Sequence, residues 1–411
     1  MKTYKVSVLG DLMCEPPLFE SSKKKNGKFD FWPSFKPLKG ILDEADYVIG
    51  NLETPIAGED LGYTASMVSF NAPFEYLEAL KKLGVDMVST ANNHSLDRGV
   101  KGLQNTIDAL DKIGIAHTGT YKSADEKNHN GYFTLGDGTK IAVIASTYGT
   151  NPDINRVNLE GKDRLVVNYH RATYKKKAGS NVPMSPELKA TRELISNLLG
   201  REMTWDEGVQ LKQAMHHQIA YANDNFRAEA IDEGVKIVYD RDVKEARREK
   251  ADLIFAIPHS GGQFAINVGR ESSYTMRKVL NSGVDAVFMN HSHTTQKAAI
   301  YKGSPCFYAL GNVTMDPESF YQVPENLPNF GIIPHLYIAN GKIVKTTFSV
   351  FKIMMNEKRK MIVVPADELY ASLTSTAEKK DLADKVAEVV ARVTETNKEV
   401  RKPKREYDLK A

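Results

Sequence analysis

From Tyr4 onward the chain alternates short apolar strands with amphipathic helices, and this alternation restricts the fold more than any other feature. YKVSVLG and DYVIGNLE read as strands, FEYLEALKKLG as a helix closed by Gly84, VDMVSTANNH as a strand, and GLQNTIDALDKIG as a helix closed by Gly114. A glycine just past the last apolar position supplies the left-handed residue on which helices commonly end. A β-α-β-α order of this kind lays strands side by side in parallel with helices on their faces, the mark of an α/β fold. GYFTLGDGTKIAVIAS interrupts the rhythm with two strands about Asp137-Gly138, and HLYIANGKIVKTTFSV does so again at Asn340-Gly341. Both are hairpin signals. Between them lie a helix through VKEARREK, the strand ADLIFAIPH, the helix SYTMRKVLNSG, the strand VDAVFMNHSH and a further strand FYALGNV.

The alternation lapses between residues 151 and 235. The expected organisation is therefore a core made of 1–150 and 236–352, a partly helical basic insertion or cap at 151–235, and a helical C-terminal tail at 353–411. Ser375 and Glu378 form a capping-box signature ahead of DLADKVAEVVARV, and the terminal RKPKREYDLKA is expected to fray. The first part of the insertion carries Arg156, Lys162, Arg164, Arg171, Lys175, Lys176 and Lys177 against Asp153, Glu160 and Asp163. It is either a solvated face or a collar that attracts an anionic substrate.

The 411 residues suffice for one large or two ordinary domains. A net charge of +3 gives no argument for nucleic acid, and none is expected as a partner. No apolar run reaches the roughly 18 residues of a membrane span, and MKTYKVSVLGD lacks the pattern of a signal peptide. The chain as given is expected to be cytoplasmic, or extracytoplasmic if an export segment was removed. Cys14 and Cys306 make neither a disulfide framework nor a cysteine-based zinc motif, and Cys14 reads as a buried thiol.

The chemistry-bearing residues recur at the ends of the predicted strands. The strands stop in turn on Asp11, on Glu53, on Asn92, Asn93 and His94, on His259, and on His291 and His293. Parallel strands of an α/β sheet put their carboxyl ends on one edge, where such sheets bind ligands. Taken singly, each has an ordinary reading. Asp11 suits a helix N-cap, Glu53 the surface before Pro55, Asn92-Asn93 a turn, and His259 a loop. Five such strand ends favour a shared site. The spacing of two in His291-Ser292-His293 would keep both rings on one side of an extended backbone. Carboxylate, amide and imidazole donors together suit Mn²⁺, Fe or Zn²⁺ better than Ca²⁺. One or two divalent ions are expected; a pair about 3.5–4 Å apart is the usual apparatus for phosphate-ester hydrolysis. His216-His217 and the isolated His117, His129, His170 and His335 show no supporting pattern.

Six segments, GDLM at 10–13, GNLETPI at 50–56, ANNHSLDRG at 91–99, PHSGGQF at 258–264, NHSHTTQ at 290–296 and YALGNV at 308–313, together resemble the CapA family of bacterial poly-γ-glutamate capsule synthesis. That family is similar in fold to calcineurin-like metallophosphoesterases. The resemblance implies a four-layer sandwich of two mixed β-sheets flanked by helices. It implies one ion on Asp11, Glu53 and His293, and a second on Glu53 as bridge with Asn93, His259 and His291. His94 would stand near the scissile group as general acid or charge stabiliser, with Asp97 orienting it. The expected function is a metal-dependent hydrolase acting on an anionic substrate, a phosphoester or polyglutamate. Its rivals are non-catalytic binding or assembly of a polyanion such as poly-γ-glutamate, and hydrolysis of an amide within the polymer. Met13 stands where typical phosphoesterases of this fold have a histidine, and Asn51 where they have a bridging aspartate. Ser260 and Gln263 replace the aromatic and the glutamate usual in the family.

Overall fold

A computed structural model describes residues 2–126, 130–172, 186–204, 207–208, 211, 226–319, 322–396 and 399–410. Lys175, Lys176, Lys177, His129, His216 and His217 lie outside the described residues. The strands are β1 (Tyr4–Leu12), β2 (Tyr47–Leu52), β3 (Met87–Ser89), β4 (Ala116–Thr118), β5 (Gly131–Thr134), β6 (Lys140–Thr147), β7 (Leu253–His259), β8 (Ala286–Phe288), β9 (Ala298–Tyr301), β10 (Ser304–Phe307), β11 (Asn312–Thr314), β12 (Phe330–Ala339), β13 (Lys342–Met355), β14 (Met361–Pro365) and β15 (Tyr407–Asp408).

They form two mixed sheets. The first runs β14-β13-β12-β1-β2-β3-β4, with β11 beside β1 and β15 beside β13; the second runs β5-β6-β7-β8-β10-β9. The parallel centres, β1 to β4 and β6-β7-β8-β10, carry antiparallel margins. Val6 and Val8 of β1 meet Ile141, Val143, Phe255 and Phe288 between the sheets. On the far side of the first sheet, Leu9 and Val48 pack on Tyr76, Leu77 and Leu80 of the helix Phe74–Leu83. On the far side of the second, Ile144, Ile254 and Val287 pack on the helices Ala228–Arg248 and Arg270–Asn281. Alternate residues of one strand thus feed two cores, and the result is the four-layer sandwich that the family resemblance implies.

Gly84 (φ 104°) and Gly114 (φ 70°) terminate their helices in the left-handed conformation. Asn340 and Gly341 both have positive φ, as a tight two-residue turn between β12 and β13 needs. The Ser375 side chain accepts from the Glu378 N–H at 3.3 Å.

Two local expectations are corrected. FYALGNV is not one strand. Phe307 pairs with Phe288 in the second sheet, whereas Asn312 pairs with Asp11 in the first. The chain changes sheets at Gly311 (φ 79°), whose carbonyl oxygen lies only 2.0 Å from where a Cβ on Gly10 would sit, so Gly10 must lack one. Nor does the C-terminal end fray. β15 pairs with β13, Glu406 accepts from Lys5 at 2.7 Å and from the Tyr337 hydroxyl, and Arg405 binds Glu44 at 2.7 Å. These partners are more than 60 residues from the terminus, so local composition could not announce them. The tail contains the helices Ala366–Ser372 and Thr376–Thr394 together with β14 and β15. Within 151–235, Val166, Val167, Asn168 and His170 are buried against the core, while Leu194, Leu198 and Leu199 on the helix Pro186–Leu199 are exposed. Among the described residues no helix is long and apolar enough to cross a membrane.

Candidate metal centre

The two sheets deliver their strand ends to one place. In β1 the register with β2 shifts between Val8 and Asp11, and this bulge sets Asp11 beside Asn51 on one flank and Asn312 of β11 on the other. Glu53 follows β2 immediately, its N–H bonded to the Leu12 carbonyl at 3.0 Å. After β3 the chain turns sharply. Asn92 Nδ2 donates to the Leu52 carbonyl at 2.8 Å, and Asn92 Oδ1 accepts from the His94 N–H at 3.1 Å. His259 ends β7 and bridges to Asn290 just before His291 and His293. The backbone of these two histidines is not extended, as their spacing had suggested. His291 has φ 113° and His293 φ 56°, an uncommon conformation for non-glycine residues. The irregular turn, rather than strand alternation, brings the rings to 5.8 Å centroid separation.

His259 Nε2 lies 2.7 Å from Asn93 Oδ1, 3.1 Å from His291 Nδ1 and 3.2 Å from Glu53 Oε1. A second group, Asp11, Glu53 and His293, shares Glu53 with the first, and in each group the ligand atoms of the acids and histidines lie within 4.8 Å of one another. Every one of these side chains is buried. Among the described residues neither carboxylate oxygen of Glu53 has a hydrogen-bond partner, the approach of His259 not being a hydrogen bond. A buried carboxyl without a donor is costly. A divalent cation is the partner this arrangement fits, and the mixed oxygen and imidazole donors match Mn²⁺, Zn²⁺ or Fe.

Burial acts to raise Asp11, but the hydrogen bond from His293, the charges of His259 and His293, and the Asn51 amide hold it below the ordinary carboxylate value. Burial, then the nearby Asp11 charge, pushes Glu53 well above its ordinary value. Burial lowers His259 to about 4 and, helped by the neighbouring imidazoles, takes His291 well below 6.5. Both rings are therefore neutral and ready to ligate at pH 7. Burial also acts to lower His293, yet Glu53 and Asp11 raise it to about 9. His293 must then lose a proton to ligate. Metal affinity is expected to rise from pH 6 to 9, and loading at pH 7 to release protons, read from the buffer dependence of calorimetric titrations. A folded value above the unfolded one means that the His293 pairing stabilises the metal-free fold fully below about pH 6.5 and is lost as pH rises through about 9. The metal-free melting midpoint should accordingly fall over that window.

His94 Nδ1 is 2.7 Å from Asp97 Oδ2, and the same oxygen accepts from the Phe70 N–H at 2.7 Å. The His94 ring packs on Phe70 at 4.5 Å. Asp97 thus holds the Nδ1 side of the ring and leaves Nε2 for another atom. Asn51 Nδ2 donates to Asp11 Oδ1 at 2.7 Å and lies 3.3 Å from His259 Nδ1, so an amide stands between the two donor groups. Met13 is buried, and its carbonyl accepts from the Tyr76 hydroxyl at 3.0 Å. Cys14 is a buried free thiol. His170 and His335 are buried on Ser146, Ser7 and Ser349.

Asn312 was not singled out from the sequence. Its Oδ1 lies 2.9 Å from His293 Nδ1 and its Nδ2 donates to the His293 carbonyl at 3.2 Å, which fixes that ring. Only the asparagine beside Asp11 on β11 hints at it, and that register is invisible in one sequence. Asn312→Ala is expected to weaken metal binding about 10–100-fold, measured by titration of chelator-stripped protein, with the fold retained.

Two mixed sheets with a buried oxygen and nitrogen donor cluster at their strand ends define an α/β sandwich with a candidate centre for divalent cations. The model of the family described as "Bacterial capsule synthesis protein PGA_cap" matches residues 5–317, and the chain belongs to that family. The match runs through the 151–235 segment as well as the motifs. Two relatives from Sinorhizobium fredii (strain NBRC 101917 / NGR234), the uncharacterized proteins y4sH and y4uA, are 24% identical over 295 residues, covering 69% of this chain and 62% of theirs. The capsule biosynthesis protein CapA of Bacillus anthracis is 22% identical over 285 residues, covering 69% of this chain and 53% of its own. The PGA biosynthesis protein CapA of Bacillus subtilis (strain 168) is 21% identical over 323 residues, covering 77% of this chain and 66% of its own. The chain therefore spans about three fifths of the length of the curated relatives it matches. Among solved structures, the 5'-nucleotidase from Candida albicans SC5314 aligns with TM-score 0.39 and 11% identity over 96% of this chain and 58% of its own.

Proposed function

We propose that the protein is a metal-dependent hydrolase of the metallophosphoesterase type, acting on an anionic substrate and serving capsule polymer synthesis. The observation that carries this is Glu53, fully buried between two donor groups with neither oxygen hydrogen-bonded among the described residues. Asp11, Glu53 and His293 would hold one ion, and Glu53, Asn93, His259 and His291 the other. Bound there, such ions supply positive charge for a substrate oxygen and a water more acidic than bulk water. The chain's own residues contribute position and proton transfer. His94, fixed at Nδ1 by Asp97, presents Nε2 as general acid or charge stabiliser. Burial of the cluster strengthens every electrostatic contact within it. The test is metal analysis of protein purified without chelator, followed by turnover of a broad phosphoester panel with Mn²⁺. Stoichiometric metal with turnover supports the reading; bound metal with no turnover on any ester removes it.

Asn51 favours a second reading, a non-catalytic protein that binds or assembles a polyanion such as poly-γ-glutamate. Its amide donates to Asp11 where a carboxylate would have served the metal. Salt-sensitive polymer binding that survives His94→Ala, without shortening of the polymer on a gel, would favour it over hydrolysis of either an ester or an amide.

A further inference from the structure

We propose that Arg171 binds the anionic oxygens of the substrate on the His291 side of the donor cluster; this rests on the reading of that cluster as a site for an anionic substrate. Its backbone is clamped in place. His170 donates to the Thr147 carbonyl at 3.1 Å and Ala172 to the Ala230 carbonyl at 2.8 Å. A Cβ on Gly234 would meet the Arg171 nitrogen at 2.4 Å, so the helix Ala228–Arg248 lies directly against this backbone. The guanidinium then sits over the ring of Tyr148, 5.1 Å from its centroid. Tyr148 is part of the site's wall. Its N–H donates to the His259 carbonyl at 3.1 Å, and its ring lies 4.9 Å from that of His291. One tyrosine thus joins Arg171 to two residues of the candidate metal centre.

A purely structural role would be to neutralise Glu271, which is 1% exposed and accepts from Arg171 Nη1 at 2.7 Å. The pairing is poorly suited to that role alone. An arginine matched to a carboxylate commonly engages both oxygens in a fork, yet Glu271 Oε2 has no partner and the rest of the guanidinium meets no acceptor among the described residues. Glu271 holds one corner and Tyr148 holds the plane. The remaining N–H groups, on a side chain 27% exposed, are left for a ligand. A planar fork of donors recognises the paired oxygens of a phosphoryl or carboxylate group. Arg171 belongs to the basic stretch that the sequence offered as an electrostatic collar, but it acts at contact range rather than by distant attraction.

Calorimetric titration of Mn²⁺-loaded protein with inorganic phosphate, and separately with a short glutamate oligomer, tests this. The variants are Arg171→Ala, Arg171→Lys and the double variant Arg171→Ala with Glu271→Gln, which removes the buried charge. Phosphate or oligomer affinity is expected to fall about 10–100-fold in Arg171→Ala and in the double variant, with part recovered by Arg171→Lys and Mn²⁺ content unchanged. The probe that suffers identifies the oxyanion as phosphoryl or carboxylate. Unchanged affinity in Arg171→Ala overturns the proposal. So does affinity restored in the double variant, which would mean that the unpaired Glu271 charge had been the cause, and so does wild-type protein that binds neither probe. Ester turnover is read separately: Arg171-dependent binding without turnover leaves this inference standing and removes hydrolysis.

Discussion

Glu53→Gln is expected to empty both donor groups together. The two groups share this residue, and no other side chain belongs to both. Removing an outer partner of a ligand typically costs about 10–100-fold in metal affinity; removing a shared carboxylate should cost more, leaving less than a tenth of the wild-type metal by plasma mass spectrometry. The metal-free fold should be retained. Burial and the nearby Asp11 charge push the Glu53 carboxyl well above its ordinary value, which favours its neutral form. Glutamine has nearly the shape of that neutral acid and likewise offers one carbonyl acceptor beside a donor. The variant should therefore still melt cooperatively in chelator, its midpoint lowered by no more than the lost attraction between Glu53 and His293, while the rise on adding Mn²⁺, a mass-action effect of binding to the folded state alone, should vanish. A variant that keeps its metal, or one that unfolds in chelator where wild type does not, would make Glu53 a structural carboxyl.

The strand ends were legible because parallel strands obey a rule that a sequence can express. An apolar run stopping on Asp11, Glu53, Asn93 or His259 places that residue at the carboxyl edge, whichever strands turn out to be neighbours. The hairpins at Asp137-Gly138 and Asn340-Gly341 were legible for a similar reason: their turn residues act locally. What escaped depends on contacts between distant segments. FYALGNV looks continuous because nothing local marks the passage from one sheet to the other. The cause is the close approach of Gly311 to Gly10, some 300 residues away in sequence. Asn312 reaches the candidate site only because β11 lies beside β1. Lys5 and Glu406 bind across nearly the whole chain, which turns an apparently frayed end into an edge strand. His291 and His293 were paired by a rule of strand alternation, whereas positive φ at both positions is what turns them together. Such backbone strain persists where the surroundings over-determine it, and here both strained residues belong to the donor cluster.

The largest loss of turnover with metal retained is expected from His94→Ala. His94 is absent from both donor groups, so metal content should stay at the wild-type value. Positioned acid–base groups typically contribute about 10²–10⁴-fold, and a loss of that size in kcat with little change in KM is expected. The leaving group distinguishes the two roles open to this ring. A general acid matters most when the departing oxygen is strongly basic, as in an alkyl phosphate, and little for p-nitrophenolate, which departs without a proton. A loss at least tenfold greater for the alkyl ester would assign proton donation; equal losses would assign charge stabilisation. Asp97→Asn should act in the same direction but less severely, since Phe70 still packs on the ring while the acceptor that fixes Nδ1 is weakened. If His94→Ala instead leaves ester turnover untouched while metal and fold are intact, the ring lies outside the reaction path. The His94–Asp97 pair would then serve only to hold the Phe70 backbone against the turn that carries Asn93.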